Sequence, residues 1–522
     1  MQRIGIVDLG SNTARLAVFA FETGRWFRLV DQIRQPVRLG EGLGQDGRLT
    51  IAAQDRAEKA LQLFSDYAGS TGLPPLEVLG TSALRDAENQ QEFLDRVERL
   101  GLNISILDGR EEAELGVLAV ANGFEFENAW VIDLGGGSAQ VSRLENRLFR
   151  EGGALPLGAV RLTEKYLHSD PPKPKEIKRL ERAVEQHLGP MASRLAEDVM
   201  PVIAMGGTVR NLARAVQKEQ QYPLLDRIHG YFLSRDDLED LVARLLATKA
   251  KKRGAVPGIK ADRADVIAAG ALVYRWLLRQ GRVEGLWISG LGLREGALMR
   301  RFLPAPHLIA NLREFSVKNL LRHYAQSKEH VELTRRLSAE LFDGLLPLHG
   351  YGSREQILLD AAAVLQDIGL AVNYYRHDRH GAYLVGSAPL MGFTHREQAL
   401  LALLVRYHLR GRPRLGDFQS LCASGDKRLL RTLLACLRLA DHLDRPRAQR
   451  VESLRVEIKE SKVVVQVLSD EDLEIELWQI EQHQELFRSA FDRRLVVDTE
   501  PVSRLGSAGS EDDLAEETVT PL

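Results

Sequence analysis

Two stretches of this chain end a short apolar run in an aspartate and then offer only small residues. Residues 130–140 read WVIDLGGGSAQ, and residues 4–12 read IGIVDLGSN. In the first, a buried strand would deliver Asp133 to a loop made of Gly135, Gly136, Gly137 and Ser138, with no bulky side chain in the way. Glycine lets backbone N–H groups converge on an anion, a serine hydroxyl adds a donor, and a carboxylate at a strand end can hold a hard cation such as Mg²⁺. Asp8, Gly10, Ser11 and Asn12 repeat the arrangement. A Gly-rich hairpin turn would explain either stretch alone. Both copies, however, continue into apolar alternation, Ala14-Arg15-Leu16-Ala17-Val18 and Ala139-Gln140-Val141. That is a strand, phosphate turn, strand hairpin repeated one domain apart, and it implies two similar domains facing one anion.

Two more stretches supply side chains that could act on that anion. Residues 77–85, EVLGTSALR, run a strand into a small-residue turn before Arg85. A guanidinium there sits at the edge where open α/β sheets bind ligands, although a plain surface arginine would read the same. Residues 108–116, DGREEAELG, follow a strand at 104–107 and open a helix with Glu111, Glu112 and Glu114. Acids in a first turn commonly serve only the helix dipole. Beside two phosphate loops, one of them suits a general base, because attack of water on phosphorus needs a group to orient the water and take its proton.

These motifs, in order, together with VIAMGGTVRNLA at 202–213 and ISGLGLREGAL at 288–298, resemble the exopolyphosphatase and guanosine pentaphosphate phosphohydrolase family, a branch of the actin, sugar-kinase and heat-shock-chaperone superfamily. The resemblance covers about the first 300 residues. It implies an α/β fold with two actin-like (ribonuclease H-like) domains forming a cleft. It further implies Glu112 as catalytic base, Asp133 with Asp8 as the Mg²⁺ residues, and Arg85 on phosphate. Ser11, Asn12, Gly135, Gly136, Gly137 and Ser138 would add phosphate contacts. Superfamily kinases contact adenosine where Met205-Gly206-Gly207-Thr208 stands here, whereas the continuation Val209-Arg210-Asn211 resembles the phosphatases.

The expected activity is therefore Mg²⁺-dependent removal of terminal orthophosphate from inorganic polyphosphate, by positioning, charge neutralisation and one base. Hydrolysis of guanosine pentaphosphate to the tetraphosphate is the second reading. A kinase or nucleotide-sensing module is a third, against which Glu112 argues, because a sensor needs no base. Helical connectors near Gly116 and Gly296 are expected to let the cleft open and close. A basic run of Lys249, Lys251, Lys252, Arg253, Lys260 and Arg263 surrounds Pro257-Gly258. It is either a solvated loop or a cationic lane in which Lys251, Lys252 and Arg253 bind the polyphosphate chain.

The frame that must hold these residues is long. At 522 residues, with 44% hydrophobic and 27% charged residues and a net charge of −2, the chain calls for several soluble domains. Their expected bounds are 1–125 and 126–303 for the actin-like pair, 304–448 for a helical domain, 449–500 for a small α+β domain, and 501–522 for a disordered acidic tail. No apolar run approaches a membrane span and Met1-Gln2-Arg3 enter a strand, so a cytoplasmic protein with no membrane or nucleic-acid partner, and a homodimer, is expected. Cys422 and Cys436 read as buried thiols.

Helices are expected at 53–68, 317–325, 331–341, 355–366, 396–408 and 428–442. Scattered among the later ones are His349, Gln366-Asp367, His380, His408 and Asp441-His442. This region resembles the HD-type metal phosphohydrolase fold carried by some family members. Gln366 stands where that fold has the histidine of its His-Asp pair, so a metal ligand is missing. A non-catalytic domain that lengthens the substrate channel or makes the dimer contact is the expectation. From Val451 the pattern alternates, through 463–468 and again at Ile475 and Leu477, as strands would.

Overall fold

The computed structural model describes residues 1–502 apart from 225–226, 323, 325–326 and 483. The expected tail beyond Val502 lies outside the described residues. The chain divides into two compact units, one of Met1–Asn319 with Pro389–His395 and one of Leu320–Ala388 with Arg396–Leu522.

The first unit is built twice over from one plan. β1 (Gln2–Leu9), β2 (Thr13–Glu22) and β3 (Trp26–Pro36) form an antiparallel meander, and β4 (Glu77–Gly80) and β5 (Ile104–Ile106) add in parallel on the other side of β1. β6 (Ala129–Leu134), β7 (Ala139–Glu145) and β8 (Leu148–Leu155) repeat the meander, with β9 (Val202–Met205) and β11 (Gly285–Ile288) parallel to β6 and β10 (Tyr231–Ser234) antiparallel at the edge. The duplication expected from the two glycine turns is thus a duplication of whole sheets.

Both sheets bury two faces, as the run of apolar residues on β1 and β6 requires. Side chains alternate along β1, so Val7 and Leu9 join the core under the Ile51–Thr71 helix while Ile6 joins Leu115, Leu298 and Phe302 on the other face. Trp130, Ile132 and Leu134 of β6 likewise face one core, and Val131 faces Val117, Val120 and Met205. The Gly109–Ala121 helix therefore puts Leu115 against the first sheet and Val117 and Val120 against the second. Its start is fixed by a capping box: Asp108 accepts from the backbone N–H of Arg110 and Glu111, and the Glu111 carboxylate accepts from the Asp108 N–H.

Gly116 and Gly296, expected near helical connectors, do lie inside helices. Gly116 is in the Gly109–Ala121 helix and Gly296 in Leu293–Phe302, where a Cβ would come within 2.0 Å of the Leu115 carbonyl oxygen. Gly296 is there so that two helices can touch.

In the second unit the expected helices form over Lys328–Gly344, Ser353–Leu365, His395–Tyr407 and Asp426–His442, joined by His377–Ser387. A three-stranded sheet follows, β12 (Ser453–Ile458), β13 (Lys462–Leu468) and β14 (Arg494–Glu500), with β12 antiparallel and β14 parallel to β13. Ile475 and Leu477 do not form a strand. They lie in the Glu474–Glu481 helix, because Leu473, Glu476 and Ile480 are buried at helical spacing while Ile475 is half exposed.

The close contact at Gly296 gives a stability test. Gly296→Ala forces backbone apart and should cost about 1–3 kcal/mol, lowering the thermal midpoint of the first unit. Gly69→Ala, in the Ile51–Thr71 helix with open space around its Cβ position, should leave it unchanged or raise it slightly. Calorimetry of the two variants checks the pair.

Candidate functional site

The two glycine turns meet in the first unit. Each closes in the same way, with Gly10 N–H donating to the Thr13 carbonyl at 3.1 Å and Gly135 N–H to the Ser138 carbonyl at 2.9 Å. They approach so closely that a Cβ on Gly137 would lie 2.5 Å from the hydroxyls of both Ser11 and Ser82, and one on Gly158 would lie 2.2 Å from the Gly136 carbonyl oxygen. Ser11 and Ser82 hydroxyls are 2.9 Å apart, and Ser138 accepts from the Gln140 amide at 2.8 Å. The Asn12 side-chain amide nitrogen is buried with no hydrogen-bond partner and lines the same cleft.

Asp8 ends β1, Asp133 ends β6, and Glu112 comes from the first turn of the Gly109–Ala121 helix; all three line one cleft with Ser11, Asn12, Gly135, Gly136 and Ser138. Of the acids at that helix start, Glu111 is spent on the cap and is exposed, whereas Glu112 turns inward with 12% of its side chain exposed. Arg85, on the Ser82–Arg85 turn after β4, donates to the Leu107 carbonyl at 2.8 Å and to Glu112 at 3.0 Å. Arg85 thus aims the carboxylate and touches the cleft through it.

Burial dominates the electrostatics. It pushes Glu112 up to about 7 against the pull of Arg85, with Asp133 and Asp8 adding to the rise. Burial likewise lifts Asp133 to about 6, opposed by Arg210, and raises Asp8 against Arg15. Three arginines that the sequence reading did not assign to the site face these acids: Arg15 of β2, Arg210 and Arg263. Burial and mutual repulsion bring Arg15 down to about 9 and Arg263 to about 10. Arg294 and Glu295 complete the lining, so four arginines confront four carboxylates. Arg210 is held by the Gly206 and Gly290 carbonyls, and the Arg263 guanidinium lies against Gly207. The available signal was an arginine at an inward position of an apolar strand just past a phosphate turn, which is where Arg15 stands.

The basic run does not stay together. Lys251 and Lys252 are exposed, but Arg253 is buried, donating to the Leu245 carbonyl at 2.9 Å, and Arg263 belongs to the cleft. Arg253 clips the helix Arg235–Ala247 to the loop after it and is not available to a substrate chain.

The second unit collects a separate group: His330, Gln366, Asp367, His377, His408, Asp441 and Asp444, all buried. His330 Nδ1 is 2.7 Å from Asp444, and the Gln366 amide nitrogen is 3.3 Å from both His330 Nε2 and Asp441 Oδ1. His330 was missed in the sequence because it lies 36 residues from Gln366, and His377 because nothing beside it sets it apart from His380, which the sequence singled out. His349 is elsewhere, bonded to the Phe342 carbonyl.

Duplicated sheets with paired glycine turns and inward carboxylates define an α/β protein whose cleft is suited to an anion and a cation. The profile of the Ppx/GppA phosphatase family matches residues 17–304, and that of Ppx/GppA phosphatase, domain III, matches residues 312–488. The chain belongs to the Ppx/GppA phosphatase family. Exopolyphosphatase 1 of Mycobacterium bovis and that of Mycobacterium tuberculosis are each 31% identical to it over 306 residues, 57% of this chain and 88% of theirs. The solved structure of an exopolyphosphatase from Cytophaga hutchinsonii shares the fold with a TM-score of 0.54 at 24% identity, over 58% of this chain and 98% of that one. Among the described residues, no helix is long and apolar enough to cross a membrane.

The Glu112 environment generates a pH prediction. A carboxylate raised to about 7 is the competent base only when ionised, so activity should fall as pH drops through about 7, or somewhat lower when a cation sits nearby. A pH–rate profile at saturating substrate checks this. An acid limb at the ordinary carboxylate value of about 4.5 would mean that Glu112 is not the titrating base.

Proposed function

We propose that this chain is an exopolyphosphatase: it hydrolyses the terminal phosphoanhydride bond of inorganic polyphosphate and releases orthophosphate. The observation that carries the reading is the placement of Glu112, mostly buried, aimed by Arg85, and opening onto a cleft floored by two glycine turns. A buried base next to a set of anion donors is what attack of water on phosphorus asks for, and a kinase transferring to another acceptor would have to exclude that water. The cleft is narrow, with a volume of about 90 Å³. Pockets that enclose a whole drug-sized ligand run to roughly 300 Å³ or more, so the end of a phosphate chain suits it better than a nucleoside. The Arg263 guanidinium over Gly207 takes space at the turn where superfamily kinases contact adenosine. Relatives named exopolyphosphatase support the same choice.

In this reading the terminal phosphoryl group lies across the two turns, receiving N–H donors, the Ser11 and Ser138 hydroxyls and the spare Asn12 amide. Arg15, Arg210 and Arg263 balance its charge. Glu112 accepts the proton of the attacking water, and Arg85 keeps the carboxylate turned toward it. The donor set of Asp8 and Asp133 consists of hard carboxylate oxygens, two in number, which matches how Mg²⁺ is held with substrate phosphates supplying further ligands. When bound, Mg²⁺ would neutralise charge on the phosphoryl oxygens.

Phosphate release from long polyphosphate and from guanosine pentaphosphate, measured side by side, tests the substrate. The expected result is a higher kcat/KM on polyphosphate; a clear preference for the pentaphosphate would overturn it. Asp133→Ala should lower the rate and shift the Mg²⁺ titration to higher concentration, and an unshifted titration would remove Asp133 from the metal.

A further inference from the structure

The group of buried side chains in the second unit has a feature that hydrogen bonding within the chain does not satisfy. His377, at the start of the His377–Ser387 helix, lies with its Nδ1 2.8 Å from the Tyr374 carbonyl oxygen; His408, just after the His395–Tyr407 helix, lies with its Nδ1 2.7 Å from the Val405 carbonyl oxygen. A carbonyl can only accept, so in each ring Nδ1 carries a hydrogen, and the ring when neutral presents a bare lone pair at Nε2. Both Nε2 atoms are buried without a hydrogen-bond partner. Both face the same carboxylate oxygen, Asp367 Oδ1, at 3.3 Å for His377 and 3.7 Å for His408. Two lone pairs and an anionic oxygen converging out of water repel one another unless a proton on Nε2 or a metal cation stands between them, and a single cation relieves both rings at once.

The distances suit a metal ion. Ligands about 2.0–2.2 Å from a tetrahedral or octahedral centre stand roughly 3.0–3.6 Å from each other. The three atoms lie within 4.8 Å of one another, and among the described residues this is the one place where three or more His, Cys, Asp or Glu side chains converge so. The surroundings hold the ligands in place: Arg447 binds the other Asp367 oxygen at 2.5 Å, leaving Oδ1 free, and the two backbone carbonyls fix the rings. Gln366, the residue that argued against a metal from sequence, is not among the three. Its amide lies against His330 and Asp441 on the neighbouring side, while Asp367 faces His377 and His408. Asp367, His377 and His330 line a cleft of about 710 Å³ that also includes Tyr374, Tyr375 and Arg447, which gives an ion a route in and leaves coordination positions open to small ligands.

We infer that Asp367, His377 and His408 form a binding site for one divalent first-row transition metal, of the kind that takes imidazole nitrogen with carboxylate oxygen, such as Zn²⁺, Fe²⁺ or Mn²⁺. Two nitrogens among three ligands select against Mg²⁺, which prefers oxygen. The site is separate in the chain from the carboxylates of the phosphate cleft and does not depend on what that cleft hydrolyses.

The test uses the full-length protein, stripped with a chelator and titrated with Zn²⁺, Mn²⁺ and Fe²⁺ in the presence of excess Mg²⁺, with bound metal measured by elemental analysis after desalting. One equivalent of a transition metal per chain is expected. Co²⁺ loading should give visible absorption bands whose energies and intensities report nitrogen ligation. Asp367→Asn, which keeps shape, and His408→Gln, which keeps volume, should each weaken binding at least 10-fold to 100-fold and alter the Co²⁺ bands, with circular dichroism confirming that the helices persist. If the wild-type protein retains no transition metal under these conditions, or if it retains one equally well in both folded variants, the inference is wrong. The wild-type measurement decides the matter even if a variant fails to fold.

Discussion

The site depends on a helix that is wedged between two sheets. Leu115 of the Gly109–Ala121 helix belongs to the core of the first sheet, and Val117 and Val120 belong to that of the second. A residue one turn before Leu115 therefore has little freedom, and that residue is in the neighbourhood of Glu112. The capping box at Asp108 and Glu111 fixes where the helix begins, and the bare approach of Gly296 to the Leu115 carbonyl lets the Leu293–Phe302 helix press it home. Fixed position is what a general base needs, since its effect falls away when the proton-accepting oxygen drifts by an ångström.

Burial then sets the chemistry. Four carboxylates and four arginines share a narrow cleft, and each would be costly there alone. Burial leaves Asp8, Glu112 and Asp133 raised and Arg15, Arg210 and Arg263 lowered from their ordinary values, and the opposite charges facing them pull each part of the way back. The same physics acts on the buried histidines of the second unit, where two imidazole lone pairs face one aspartate.

Much of this was legible in the sequence because it is local. An apolar run, an aspartate and a glycine turn lie within ten residues, so both glycine turns, the hairpins around them and the acidic helix start could be read directly. Glu112 could be separated from Glu111 only by resemblance; the structure adds the reason, which is that Glu111 is used by the cap. What could not be read is assembled from distant segments. Arg15, Arg210 and Arg263 come from a strand, a helix and a short 3-10 turn; only Arg15, inward on an apolar strand, carries a local signal, and nothing in the neighbours of Arg210 and Arg263 marks them as facing the same cleft. Arg253 sits in a run of lysines yet is buried, because the carbonyls of Leu245 and Ala264 are within its reach. Ile475 and Leu477 alternate like a strand but are turned into a helix by the apolar spacing of Leu473 and Ile480. His377 joins Asp367 only once the intervening loop has folded back.

Glu112 as the proton acceptor is the pivot of the proposed hydrolysis, and the amide substitution isolates that role. Glu112→Gln keeps volume and can still hydrogen-bond to Arg85, but it cannot take a proton from water. Polyphosphate binding and single-turnover phosphate release should be measured together on the folded variant. The account predicts binding within a few-fold of the wild type and a hydrolytic rate lower by about 10²- to 10⁴-fold. Near wild-type hydrolysis in that variant would contradict it.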